Sequence, residues 1–385
     1  MRSTFLDFSP PSIGKEEIAE VVDTLQTDWI TTGPKASRFE QEFAGFIGAP
    51  AALAVSSATD AMQVALAALG IRAGDEVITS TMTFCSTVHV IEHLAAKPVL
   101  VDVEHDTLCM DPEKAKAAVT PRTKGIMPVH LYGHPCDMDS ILETASHHRL
   151  FVLEDAAHSL PARYRGRMVG TIGTATAFSF YATKNLTTAE GGMLTGSPEL
   201  IQQARMWSLH GMSRDAYKRY TAEGSWYYEV VLPGFKCNMT DIQASLGLQQ
   251  LKKLPAFQER RRQVVERYSA TFSQLPELQV PVERSGCESA WHLYVIRLNP
   301  EMLRIDRGRF IEELKARNIG TSVHFIPVHL HPYYREKYGY KPEDFPIAYE
   351  NYRRIISLPL HPRLTDRDVD DVIEAVVDVI EKFRR

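Results

Sequence analysis

Cysteine is scarce in this 385-residue chain and never clustered: Cys85, Cys109, Cys136, Cys237 and Cys287 are odd in number and nowhere form a C-x-x-C pair. Neither a disulfide framework nor a thiolate metal site is expected from them, and a reducing cytoplasm fits best. Long apolar runs are missing too, with none approaching the roughly 20 residues of a membrane helix. The opening M-R-S-T-F-L-D-F-S-P-P carries an acid and two prolines where a signal peptide would hold its apolar stretch, so a cytoplasmic protein is expected. A charge excess of one sign is also lacking. With 43 Lys and Arg against 48 Asp and Glu, the net charge of -5 gives no electrostatic reason to seek nucleic acid or an anionic membrane. No internal repeat and no low-complexity tract interrupts the chain.

What is present is enough apolar side chain, 44% of residues, to bury a large core. The length suggests two units, placed at residues 1–254, including the N-terminal segment, and 255–385. Between about Ala49 and Leu194 short apolar runs alternate with helix-periodic stretches: A-A-L-A-V (51–55), E-V-I-T-S (76–80), P-V-L-V-D-V (98–103), K-G-I-M-P-V (124–129), L-F-V-L-E (150–154) and A-T-A-F-S-F (175–180). Such runs read as strands buried on both faces, and the alternation predicts an α/β domain whose central, mostly parallel sheet is flanked by helices. Thr240-x-x-Gln243 reads as a capping box opening a helix that ends before Pro255. Beyond Pro255 a long charged helix, the strand-like W-H-L-Y-V-I-R-L (291–298) and a helix over 307–317 predict a smaller α+β domain.

In α/β sheets of this kind ligands collect at the carboxyl ends of the strands, and three segments there carry chemistry. Asp155 closes the run L-F-V-L-E-D, where a carboxylate needs a cationic or hydrogen-bonding partner; the plain alternative is a cap of the turn D-A-A-H. Lys184 follows F-S-F and precedes a flexible T-T-A-E-G-G, a setting in which its amine could lose water and drop in pKa, although a surface lysine is the default. One carboxylate and one lysine so placed are what a pyridoxal phosphate site needs for ring nitrogen and aldehyde. Ser56, Ser57, Ala58 and Thr59 follow a strand and open a helix, so their backbone N–H groups and small hydroxyls suit a dianionic phosphate; simple N-capping by Ser57 or Thr59 is the competing reading. Phe84, just past the next strand, could stack on a ring or pack in the core.

Together these segments resemble the DegT/DnrJ/EryC1/StrS family of pyridoxal-phosphate-dependent sugar aminotransferases, of the aspartate-aminotransferase-like fold type I. The likeness runs over nearly the whole chain: W-I-T-T-G-P (29–34), S-S-A-T-D-A (56–61), T-F (83–84), E-D-A-A-H-S (154–159), S-F-Y-A-T-K (179–184), E-G-G (190–192), G-F-K-C-N-M-T-D-I-Q-A (234–244) and P-V-H-L-H-P-Y-Y (327–334). The resemblance implies Lys184 as the Schiff-base lysine and Asp155 as the partner of the ring nitrogen. It puts His158 near the ring hydroxyl, Phe84 on the ring face, and Ser57, Ala58, Thr59 and Ser179 around the phosphate. It further implies that Asn238 completes the phosphate site of a partner subunit, so that a homodimer shares its active sites. The cofactor would cycle through pyridoxamine phosphate, with L-glutamate as donor and a nucleotide-diphosphate keto-6-deoxy sugar, ketone at C3 or C4, as acceptor.

Thr32, Arg214 and His329 are assigned to substrate, Arg214 because a guanidinium suits bidentate contact with a diphosphate. His324 and His331 beside His329 raise a metal site, but no carboxylate or thiolate completes the set, and no metal is expected. Three alternatives remain: another fold type I reaction on the same parts, an aminocyclitol- or aminobenzoate-forming transaminase, and a non-catalytic protein on this scaffold. The last should have lost Lys184 or Asp155, and this chain keeps both.

Overall fold

The apolar runs fold as the strands they were read to be. In the computed structural model, which describes residues 2–212 and 227–385, they become β1 (Ala51–Val55), β2 (Glu76–Ser80), β3 (Lys97–Val101), β4 (Thr123–Met127), β5 (Phe151–Asp155) and β8 (Ala175–Ser179). Between β5 and β8 a small hairpin, β6 (Arg163–Tyr164) and β7 (Arg167–Met168), pairs with Cys287–Glu288 to form a separate sheet. A seventh strand of the main sheet, β9 (Gly192–Gly196), begins on the last glycine of the T-T-A-E-G-G stretch and was not among the expected strands. Its sequence, G-M-L-T-G, has glycine at both ends and little β-propensity, so it is held by pairing rather than by preference.

The sheet order is β1-β9-β8-β5-β4-β2-β3. β9 runs antiparallel to both β1 and β8, and the other pairings are parallel. The carboxyl ends of β1, β2, β4, β5 and β8 therefore share one edge. Both faces of the sheet are covered, as successive residues show: Val152 and Phe178 join one core with Phe39 and Phe43, while Leu153 and Ala177 join another with Met62 and Leu66.

Glycine is required at one point of this packing. A Cβ on Gly192 would lie 2.4 Å from the backbone carbon of Ser57, so only glycine lets β9 run against the start of the helix Ala58–Ala68.

The helix opened by the Thr240–Gln243 capping box does not end before Pro255. It runs as one 32-residue element, Asp241–Phe272, with Pro255 inside. A proline there removes one backbone hydrogen bond, and packing at both ends outweighs the loss. Ala244, Leu248, Leu251 and Leu254 sit in the first core, whereas Val264, Val265, Tyr268 and Phe272 sit in a C-terminal core built on the sheet of Leu278–Gln279, Tyr294–Leu298 and Ile355–Leu358. The first residues cross over as well. Leu6 bridges Ile319 and is buried in the C-terminal core, and Arg2 ion-pairs with Asp368 and Asp371, so residues 2–6 pack with the C-terminal unit rather than the N-terminal one with which they were grouped. No helix among the described residues is long and apolar enough to cross a membrane.

Asp241, first in the long helix, also caps another. Its carboxylate accepts from the backbone N–H groups of Gly33 (2.8 Å), Lys35 (3.0 Å) and Ala36 (2.9 Å) at the start of the helix Pro34–Ile47. Asp241→Ala strands those donors and is expected to cost about 2 kcal/mol in urea unfolding; an unchanged midpoint would show that the cap is idle.

Candidate active site

Asp155 ends β5 at the shared edge with 4% of its surface exposed. It accepts a hydrogen bond from Thr87 Oγ1 at 2.7 Å and another from the backbone N–H of Ala157 at 3.1 Å. Both donors are neutral, so they orient the carboxylate without cancelling its charge.

Lys184 stands on the loop after β8. That loop is fastened at each end: the Lys184 N–H donates to Tyr181 O (2.9 Å), and Phe180 O accepts from Thr188 N–H (2.9 Å) and Thr187 Oγ1 (3.2 Å). Asn185 pins the middle, its Nδ2 donating to Leu160 O at 2.9 Å and Ala290 O at 2.8 Å. Loss of water around the amine lowers the Lys184 pKa to about 8, with the Asp155 charge pulling the other way.

The cup after β1 divides its labour. Ser57 is the N-cap of Ala58–Ala68; its Oγ accepts from Asp60 N–H at 3.0 Å and donates to the Asp60 carboxylate at 2.7 Å. The Ser57 hydroxyl is thus used by the helix. What remains for an anion are the first-turn N–H groups of Ala58 and Thr59, which have no carbonyl to reach inside the helix, and the Thr59 hydroxyl.

These parts converge on one cavity of about 400 Å³, whose lining includes Ser57, Ala58, Thr59, Phe84, Asp155, His158, Ser179 and Lys184. Phe84 stands at the mouth, 56% exposed, its ring 5.7 Å from that of Phe325. His158 is buried. Its pKa is pushed well down by burial, then by the charges of Lys184 and His324, and its Nδ1 accepts from the Tyr132 N–H at 3.3 Å.

The comparisons with known proteins agree with this geometry. A sequence profile of the DegT/DnrJ/EryC1/StrS aminotransferase family matches residues 11–377. The chain belongs to that family. Spore coat polysaccharide biosynthesis protein SpsC of Bacillus subtilis is 55% identical to it over 382 residues, 99% of this chain and 98% of SpsC. The putative sugar aminotransferase Spr1654 of Streptococcus pneumoniae superposes with a TM-score of 0.93 in its PMP form and 0.92 in its PLP form, at 38% and 37% identity over 98% of this chain and 99% of Spr1654. Helicobacter pylori PseC, an aminotransferase involved in the biosynthesis of pseudoaminic acid, gives a TM-score of 0.92 at 27% identity, covering 99% of this chain and all of PseC. The protein is accordingly a pyridoxal-phosphate-dependent aminotransferase of fold type I, whose cofactor cycles through pyridoxamine phosphate.

The cavity fits that cofactor by the chemistry of its donors: an amine, a buried carboxylate and a set of free helix N–H groups stand on one strand edge, beside a glycine where a Cβ would intrude. Three of the residues assigned to the site do not line this chain's own cavity. Asn238 pairs through its backbone with Val55 at the end of β1, and its Nδ2 donates to Thr32 Oγ1 at 2.5 Å; neither Asn238 nor Thr32 lines the cavity of its own chain. His329 is corrected outright. It is fully buried with Nδ1 2.7 Å from Thr81 Oγ1 and its ring 4.7 Å from that of Phe345, so it holds the end of β2 rather than facing the cavity. Arg214 falls outside the described residues.

Side chains that the sequence analysis did not assign to the cofactor site also shape it. Thr87, which orients Asp155, lies three positions beyond Phe84 in T-M-T-F-C-S-T and carried no separate signal. His292, His324 and Phe325 arrive from the C-terminal part of the chain. His292 was hidden in a strand-like run, and His324 was overshadowed by the more conspicuous His329.

Linkage gives a test of the Lys184 environment. Its pKa falls from 10.5 to about 8 on folding, so between those values the unfolded chain binds more protons and this residue's contribution to stability rises with pH. In the cofactor-free protein Lys184→Met should therefore be more stable than the parent near about pH 7, and the advantage should shrink toward about pH 10. A constant difference in melting temperature across that range would contradict the desolvated amine.

Proposed function

We propose that this aminotransferase moves an amino group from L-glutamate to the C3 or C4 ketone of a nucleotide-linked keto-6-deoxy sugar, giving an amino sugar for glycan, lipopolysaccharide or antibiotic biosynthesis. The observation that carries the reading is the single cavity joining Lys184, Asp155 and the Ala58–Thr59 cup on one sheet edge. The roles of SpsC in spore coat polysaccharide biosynthesis and of PseC in pseudoaminic acid biosynthesis support the sugar acceptor.

When bound, pyridoxal phosphate supplies an electron sink for a carbanion at the donor's α carbon. Lys184 is the residue that would bond its aldehyde and, once free, carry a proton on Nζ; a pKa near 8 gives it a far larger neutral fraction at physiological pH than an ordinary lysine has. Asp155, oriented by Thr87 and Ala157, would keep a proton on the ring nitrogen. The N–H groups of Ala58 and Thr59, with Ser179, would hold the phosphate, Phe84 would cover the ring, and His158 would stand near the ring hydroxyl.

The site is further read as shared within a homodimer, Asn238 and Thr32 serving the other subunit. Their mutual hydrogen bond outside the home cavity supports this, as do the exposed aromatic rings of Phe84 (56%) and Tyr181 (48%) on the cavity lining, which suit coverage by a second surface.

The first test incubates the protein with pyridoxal phosphate, L-glutamate and a panel of nucleotide-linked keto sugars, following 2-oxoglutarate release and the mass of the aminated sugar. Release beyond one equivalent per active site that requires a keto sugar supports the proposal, Lys184→Ala should abolish it, and repeated turnover without any acceptor would point to another fold type I reaction. For the shared site, Asn238→Ala and Lys184→Ala proteins are each expected to be impaired but to regain part of the activity when mixed and allowed to exchange subunits. Mixtures that stay as inactive as the separate proteins would count against sharing.

A further inference from the structure

Arg261, on the long helix Asp241–Phe272, is a cation only 2% exposed, and no acid among the described residues pairs with it. All of its hydrogen bonds leave from one nitrogen: Nη1 donates to the carbonyl oxygens of Trp291 (3.2 Å), His292 (3.2 Å) and Leu360 (2.8 Å). Nε is buried without a partner, and Nη2 donates to no group among the described residues. Nε and Nη2 form the side of a guanidinium whose parallel N–H groups ordinarily grip an anion in a bidentate pair. Two other buried arginines are satisfied differently. Arg317 pairs with Glu313 and Asp378, and Arg297 donates from both Nη1 and Nη2, to Asn351 Oδ1 and to the carbonyls of His105 and Asp106. Burial pulls the Arg261 pKa down to about 9, so near about pH 7 the side chain still carries its charge into the interior.

The same residue borders a small void, about 10 Å³, where three segments of the chain meet. Ser9 and Ser12 reach it from the first residues, Lys184 and Thr187 from the loop after β8, and Gln250 and Arg261 from the long helix. Two cations therefore line the void, and no Asp or Glu does. The bonds that tie the segments together there are neutral: Ser9 Oγ donates to Thr183 O at 3.3 Å, and Gln250 Nε2 donates to Ser12 O at 2.8 Å. The volume suits one particle about the size of a water molecule and is too small for phosphate, sulfate or a carboxylic acid. Buried donors without acceptors call for a water or an ion. A water would accept their hydrogen bonds and leave the charge uncompensated, whereas a small anion does both, so the charge decides between them.

We propose that this void is a binding site for one monovalent anion of halide size, chloride in a cell, held by the unpartnered N–H groups of Arg261 where residues 9–12, the Lys184 loop and the long helix meet. The ion balances the buried guanidinium and adds a charged tie at a junction that neutral hydrogen bonds hold elsewhere. The site shares Thr183 and Lys184 with the cofactor cavity but is otherwise lined by different residues, and it does not depend on which amino donor or acceptor the enzyme uses.

Bromide is the probe, applied to the full-length protein. Crystals soaked in sodium bromide should give an anomalous bromine peak in contact with Arg261; an ordered water at that place with no bromine signal overturns the proposal. In solution, exchanging sodium gluconate for sodium bromide or chloride at constant ionic strength should raise the melting temperature by about 1 °C or more and then saturate. Ser9→Asp puts a carboxylate on the rim of the void and should abolish that response, as should Arg261→Gln; the Ser9 variant carries the test if the Arg261 variant does not fold. A melting temperature indifferent to halide overturns the proposal. So does a response that never saturates or that persists undiminished in the Ser9→Asp protein, since either is a general salt effect.

Discussion

The parallel pairing of β5 with β8 is the constraint on which the rest of the site depends. Leu153, Glu154 and Asp155 run beside Ala175, Thr176 and Ala177 in the same direction. A carboxylate at the end of one strand and a lysine just past the end of the next are thereby delivered to the same edge. Because β4 and β2 continue the parallel array, Thr87 and Phe84 follow β2 onto that edge as well. The antiparallel β9 then closes the gap to β1 and brings the helix cup alongside. Nothing in this arrangement depends on loop conformation alone, which gives the side chains the rigidity that chemistry at a single carbon requires.

Around that edge the protein uses neutral groups to orient charged ones. Asp155 is aimed by a threonine hydroxyl and a backbone amide, Lys184 by an asparagine and backbone carbonyls, and the Ala58–Thr59 amides by a serine cap that satisfies its own helix. Among the described residues no Lys or Arg ion pair reaches Asp155, so its charge stays available to a ligand. The histidines are kept uncharged by burial and by the lysine itself. On the opposite face of β5 the adjoining Glu154 carboxylate is met by Gly173 N–H, the Thr176 hydroxyl and His130 Nε2.

Much of this was legible in the sequence, and the reasons are physical. Strands buried on both faces announce themselves as unbroken apolar runs, so six of the seven were readable to within two residues, and parallel order fixed where Asp155, Lys184 and the cup would meet. β9 was not readable because it is short, is bounded by two glycines, and opens on one, Gly192, that the Ser57 contact and not strand formation requires. Pro255 suggested a break because local preference says so, yet tertiary packing on both sides carries the helix through it. Of the histidines, His329 sits in the more conspicuous motif but serves the core, while His324 and His292 come to the cavity through pairings between segments far apart in the chain, which no local pattern records. Thr32 and Asn238 were correctly linked to each other only by the fold, since their hydrogen bond spans most of the large domain's sequence.

The crossing of residues 2–6 onto the C-terminal core bears on how the chain is made. Arg2 waits for Asp368 and Asp371, and Leu6 for Ile319, so residues translated early find their partners only after residues more than 300 positions later have been made. The same stretch continues to Ser9, whose hydroxyl donates to the Thr183 carbonyl beside Lys184, and to Ser12, whose carbonyl accepts from Gln250. The sheet edge with its cup, carboxylate and lysine is complete in sequence by β9, but the strap that ties it to the C-terminal core must stay undocked until residues 319–371 have been made. Contacts of such sequence separation close slowly, which makes the docking of this strap a late event in the protein's maturation.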